Sequence, residues 1–121
     1  PHGQYSQYHT SADNLDFVKP EYLADSFSIY ISVFDILENN KKYINQNPRC
    51  EPQLGKRGLY QTTGGQKDRK QRELAMLWVL NLSDGSNTLL DISDKSGLTF
   101  DLIKDAAEAL SECDLLKECR A

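Results

Sequence analysis

The sequence predicts a mainly α-helical chain, one long N-terminal helix followed by three shorter ones, with little or no strand. Three features predict it. Two apolar stripes run at helical spacing through residues 20–44, turn residues crowd 45–66, and the last third alternates apolar helical periods with Gly-containing stops.

Residues 1–14 carry Gly, Ser, Gln, Tyr and His with neither a helical nor a strand period, so they are expected to form a loop. Pro20 suits the first position of a helix, and Glu21 suits its positive end. The helix predicted over 20–44 places Leu23, Phe27, Tyr30, Phe34 and Leu37 on one stripe and Ile29, Val33 and Ile36 on the next. Asp25, Ser28, Ser32, Asp35 and Asn39 make a single polar stripe. An apolar face this wide needs cover on more than one side, which points to a helix evolved against something larger than the rest of this chain.

From 45 to 66 the pairs Asn47-Pro48, Glu51-Pro52 and Gly64-Gly65, with Gly55 and Gly58, signal turns, with one short strand expected over 59–62. The expected division is therefore 1–45, a linker over 46–66, and a second domain over 67–121. In that domain a helix over 69–82 is apolar through Leu74, Leu77, Trp78 and Leu82. A short helix over 88–96 turns Leu89, Leu90 and Ile92 inward and ends on Gly97 in a left-handed conformation. Thr99 then caps a third helix, with Leu102, Ile103, Ala106, Ala107 and Leu110 inward. A short helix, a tight Gly turn and a longer helix make a helix-turn-helix. Leu115-Leu116 reads as the entry to a β-wing, with the chain ending before a full hairpin, so the second domain is predicted to be winged helix-turn-helix-like.

At 121 residues, 39% hydrophobic and 26% charged, the composition is that of a water-soluble globular protein. The densest apolar stretches are interrupted well short of the roughly 20 residues that span a bilayer, so no membrane is expected as a partner. Cys50, Cys113 and Cys119 are odd in number and lack CxxC spacing, which favours reduced thiols and a cytoplasmic location. The start at Pro1, without an initiator Met, suggests an excised piece. A net charge of −4 gives no general attraction to nucleic acid.

Lys67, Arg69, Lys70 and Arg72, extended by Lys56 and Arg57, form the one cluster suited to nucleic acid or another anion. Its plain explanation is a solvated first helical turn. The third helix of the second domain, which would enter a major groove, carries Asp101, Asp105, Glu108 and Glu112 against one Lys104, so it should repel phosphates. Protein contact is the expected use of this domain, and a winged-helix nucleic-acid-binding module is the alternative. Gly64-Gly65 lacks P-loop spacing, Ser83, Ser93, Ser96 and Ser111 have no histidine in their segment, and no Cys is paired with one, so nucleophilic chemistry has no support.

The string Tyr8-His9-Thr10-Ser11-Ala12-Asp13-Asn14, followed by Pro20-Glu21-Tyr22-Leu23 opening a helix, resembles the closing motif of zinc aminopeptidases of the di-zinc exopeptidase superfamily. In those enzymes a His-Thr pair shortly before an Asp supplies the last metal ligand ahead of the final helix. The order is especially similar to a bacterial aminopeptidase-like family found near surface-polysaccharide genes, which ends in a winged helix-turn-helix. Leu54-Gly55-Lys56-Arg57-Gly58-Leu59-Tyr60 resembles its linker.

The resemblance implies a C-terminal fragment of a zinc-dependent aminopeptidase or related hydrolase, with a missing N-terminal catalytic domain as its partner. His9 is then a zinc ligand only in the full-length parent, and Asp13 holds the loop. The superfamily's His-x-Asp, bridging Asp and Glu-Glu pair have no counterpart here. A catalytic zinc needs about three protein ligands, so the fragment is expected to hold no zinc and to be non-catalytic. Uncovered, the first helix is expected to pair with a second copy as a homodimer.

Overall fold

In a computed structural model, which describes residues 3–60 and 66–119 without the side chains of 66 and 67, the chain is mainly helical. It comprises α1 (Pro20–Asn39), β1 (Lys42–Asn45), a 3-10 turn over Leu54–Arg57, α2 (Gln66–Leu82), β2 (Asp84–Thr88), α3 (Leu89–Ser96), α4 (Phe100–Glu112) and β3 (Leu116–Glu118). The chain divides into two compact units, Pro1–Asp35 and Ile36–Ala121.

In the first unit, residues 3–18 form successive turns. Thr10 Oγ donates to the Gln7 carbonyl at 2.8 Å and accepts from the Ala12 amide at 3.2 Å, while Asn14 Oδ1 accepts from the Asp16 amide at 2.9 Å. Thr10 and Asn14 therefore hold this loop, the role expected of Asp13. Tyr5 stacks on Phe17 with ring centroids 5.5 Å apart and meets Tyr8 edge-on at 5.6 Å. α1 then runs from Pro20 with none of its residues buried.

The second unit packs α2, α3 and α4 around one core. Ala75, Met76, Val79 and Leu80 of α2 meet Leu89 and Ile92 of α3 and Phe100, Ile103, Ala107 and Leu110 of α4. The helix expected over 20–44 stops at Asn39, and residues 42–45 form the central strand of a three-stranded sheet in the order β2-β1-β3. Both pairings are antiparallel, with Ile44 opposite Asp84 on one side and Lys117 on the other. The stretch expected to be linker also contributes, since Pro52 and Leu54 are buried and Leu54 is only 1% exposed. Of the short strand expected over 59–62, Leu59 and Tyr60 lie in a turn and 61–62 are outside the described residues.

β3 follows α4 as a wing strand should, and its partner is β1, which comes from upstream of all three helices of the unit. Asn45 fixes this strand twice, donating from its amide to the Ser83 carbonyl at 2.7 Å and from its side chain to the Leu80 carbonyl at 2.8 Å. Asn40 Oδ1 accepts from the Leu90 amide at 2.9 Å, which ties the segment entering β1 to the first turn of α3.

The helix-turn-helix keeps the predicted Gly97 stop, while its side-chain cap lies on α3 and Thr99 makes no side-chain cap hydrogen bond on α4. Thr88 and Asp91 form a capping box on α3, with the Thr88 amide donating to Asp91 Oδ2 at 2.7 Å and the Asp91 amide to Thr88 Oγ at 3.2 Å. Gly97 ends the helix at φ 69, a left-handed value that a side chain would strain. Thr99 occupies the N-cap position of α4 in an extended conformation.

The Thr88 amide and hydroxyl hold the Asp91 carboxyl below its ordinary range, and Ser86 does the same for Asp84. A lowered folded value means the stabilisation is complete above about pH 4 and is lost as pH falls through that value. Asp91→Ala should therefore melt below the unsubstituted chain at pH 7 and converge with it as pH approaches 2. A gap that stays constant across this range, measured by thermal unfolding, would contradict the assignment.

Candidate functional site

His9 lies in the first unit on an exposed turn, with a left-handed backbone at φ 58. Its imidazole meets the Tyr8 ring edge-on, centroids 4.1 Å apart. Among the described residues no group of three or more His, Cys, Asp or Glu side chains is placed to hold a metal. His9 therefore offers one donor where a zinc site needs a set.

The cationic cluster is spread along α2. Arg69 donates through Nε to Glu73 at 2.8 Å, one helical turn away, and so is partly neutralised. Lys70 and Arg72 are exposed, and the side chain of Lys67 is outside the described residues. Arg57 donates to the Cys113 carbonyl at 3.3 Å, an intramolecular role that takes it from the cluster.

On α4, Asp101, Asp105, Glu108 and Glu112 are all exposed while Ile103, Ala106, Ala107 and Leu110 are buried. The surface that α4 presents is thus acidic along its length. Arg72 and Asp105 stand at the rim of a small cleft between α2 and α4, about 70 Å³, whose floor is Leu59, Met76 and Leu102. At the sheet, Lys41 Nζ donates to Glu118 at 3.1 Å, and this contact raises the Lys41 pKa. Burial raises that of the Tyr43 phenol.

Two apolar surfaces are open. Nine large side chains of α1, from Tyr22 to Leu37, are between 45% and 68% exposed. On α2, Leu74 and Leu77 of the apolar period expected over 69–82 are 45% and 44% exposed, and Leu90 of α3, which was expected inward, is 43% exposed. The period Ala75-Met76-Val79-Leu80 is the signal in the sequence that marks the true inner face of α2, and its smaller residues made it less conspicuous than the leucines. No helix among the described residues is long and apolar enough to cross a membrane.

Residues 41–118 match a family model described as winged helix-turn-helix, and residues 1–40 match one described as a domain of unknown function (DUF4910). A Clostridium acetobutylicum protein, named for polysaccharide biosynthesis and an aminopeptidase-like domain, is 55% identical over 113 residues. That match covers 93% of this chain and 26% of the relative. A crystal structure of a protein from Clostridium acetobutylicum described as a peptidase matches with a TM-score of 0.82 at 50% identity, covering 95% of this chain and 24% of the other. The chain spans about a quarter of the length of each relative.

Proposed function

Because this chain belongs to the winged helix-turn-helix family through residues 41–118, while residues 1–40 match a separate family, we propose that it is the non-catalytic C-terminal part of a zinc aminopeptidase-like protein. Residues 1–40 would close the peptidase-like domain, and the winged helix-turn-helix unit would serve protein contact. The observation that carries this reading is α1. A 20-residue helix with two apolar stripes and no buried residue is built to be covered, and the relatives contain three further quarters of chain to cover it. The name of the relative supplies the aminopeptidase-like character of that missing part.

In the longer protein His9 would be the last zinc ligand before the final helix of the catalytic domain, delivered by the turn that Thr10 and Asn14 hold. Bound zinc would supply a Lewis acid and an activated water there, and its other ligands would come from upstream. The imidazole's part is to donate one nitrogen. The isolated chain should retain zinc no better than a peptide with a single histidine, because a lone ligand lacks the closed set and outer shell that give affinity. In the longer protein His9→Ala should lower bound zinc, read by atomic emission after dialysis. Stoichiometric zinc on the isolated chain, lost on His9→Ala, would sink this assignment, as would an upstream sequence without metal ligands.

The free thiols, one exposed and two half-buried, suit a reducing cytoplasm, which is where we place the protein. Nucleic-acid binding is the second reading, favoured only by Lys70 and Arg72 beside Arg69 on α2. The acidic face of α4 opposes it. A labelled duplex should show no mobility shift at low salt, and a shift that fades as salt rises would reinstate it.

A further inference from the structure

Tyr8 and His9 are neighbours in the chain, and neighbouring side chains in an extended segment point to opposite faces. Their rings nevertheless meet nearly at right angles, with centroids 4.1 Å apart. The backbone accounts for this. His9 is held at φ 58, a left-handed value uncommon outside glycine. Hydrogen bonds bracket it on both sides, from the Tyr8 amide to the Tyr5 carbonyl at 3.1 Å and from the Thr10 amide to the Gln7 carbonyl at 3.0 Å. A conformation of this kind persists only where its surroundings determine it, and such positions gather at functional sites. The ring contacts continue away from His9. Tyr8 meets Tyr5 edge-on at 5.6 Å, and Tyr5 stacks on Phe17 at 5.5 Å. The Phe17 amide donates to the Asn14 carbonyl at 3.0 Å, so the row of rings ends on the segment that leads into α1. Tyr5 and Tyr8 are half-buried, His9 at the end of the row is exposed, and none of these rings belongs to the core of the winged helix-turn-helix unit.

We propose that Tyr8 is a positioning residue for His9: its ring, braced by Tyr5 and Phe17, holds the imidazole in one orientation before a metal arrives. The role rests on the reading of His9 as a zinc ligand in the longer protein. An exposed side chain samples several rotamers, and binding that fixes it loses that freedom. A ligand fixed beforehand loses less. Neighbours that orient a ligating imidazole are accordingly part of a site's affinity. Edge-on ring contacts act through the plane of the ring and its charge distribution, positive at the edge and negative on the face. The tyrosine hydroxyl is not needed for this. Phenylalanine should therefore replace Tyr8 in the role, and leucine, which has no ring, should not.

Two measurements test the assignment. In the isolated chain, NMR should show proton contacts between the His9 and Tyr8 rings and Hα–Hβ couplings at His9 of a single rotamer. Tyr8→Phe should keep the couplings, and Tyr8→Leu should average them. Tyr5→Leu, which removes the brace and leaves Tyr8 in place, should move them in the same direction. In the longer protein, zinc affinity read by competition with a chelator should fall roughly 10–100-fold for Tyr8→Leu and stay within about twofold for Tyr8→Phe. His9→Ala is measured beside them. If His9→Ala leaves zinc binding unchanged, the ligand reading fails and the positioning role falls with it. If His9→Ala weakens zinc binding and Tyr8→Leu does not, the ligand stands and the positioning role alone is overturned. Couplings already averaged in the unsubstituted chain overturn it as well, and so does a loss with Tyr8→Phe as large as with Tyr8→Leu, since the hydroxyl would then be responsible.

Discussion

Ile103→Ala is expected to lower the stability of the winged helix-turn-helix unit by about 2–5 kcal/mol. Ile103 has no exposed surface, and its side chain sits in the core where α4 meets α2 and α3. Removing three carbons there loses their transfer energy and leaves a cavity that close-packed neighbours fill only partly. A unit of this size is held by roughly 0.05–0.15 kcal/mol per residue, so the loss is about a sixth of the whole at the least. Leu74→Ala, on the exposed side of α2, should stay within about 0.5 kcal/mol in the monomer, as surface substitutions do. Denaturant midpoints read at low concentration separate the two. Equal losses would mean that Leu74 lies on a buried side of α2.

The two sides of α2 also mark where the sequence was legible and where it was not. Apart from Leu90 and the cap at Thr99, the α3-turn-α4 unit could be read from the sequence because its determinants are local. Thr88 and Asp91 start a helix, Gly97 ends it, and the inward period of α4 runs unbroken from Ile103 to Leu110. β1 could not be read in this way. Lys42–Asn45 is four residues with Tyr43 alone buried, and it becomes a strand only because β2 and β3 approach it from positions about 40 and 70 residues later. β2, with the sequence Asp-Gly-Ser-Asn-Thr, carries turn residues throughout. Gly85 is held at φ 85, a left-handed value that a side chain would strain, so the backbone turn entering the pairing with β1 is what that glycine serves. Pairing, not propensity, makes both strands. The metal question divides similarly. His9 is legible as a ligand only beside a resemblance, because no group of side chains among the described residues would complete a site with it.

The same reasoning gives α1 a different response to substitution from α4. Phe34→Asp should leave the unfolding midpoint of the winged helix-turn-helix unit unchanged, because Phe34 is 56% exposed and lies outside that core. Its effect should appear in association. Phe27, Tyr30 and Phe34 form one stripe of α1, and Ile29 and Val33 flank it, so two copies that pack these stripes remove large apolar surface from water. At about 1.5–3 kcal/mol for each side chain fully buried, several together exceed a modest cost of association. The isolated chain should therefore show a concentration-dependent rise in mass by sedimentation, and Phe34→Asp should move its midpoint upward by roughly tenfold or more, since a carboxylate would be drawn out of water at the contact. In the longer protein the same substitution should be far more damaging. On the proposed reading the stripe is covered there, and an unpaired charge beneath that cover would have neither water nor a partner. If the two settings respond alike, or if Phe34→Asp lowers the midpoint of the α4 unit in the isolated chain, α1 belongs to the core of residues 41–118 and the peptidase-like assignment of its apolar stripes fails.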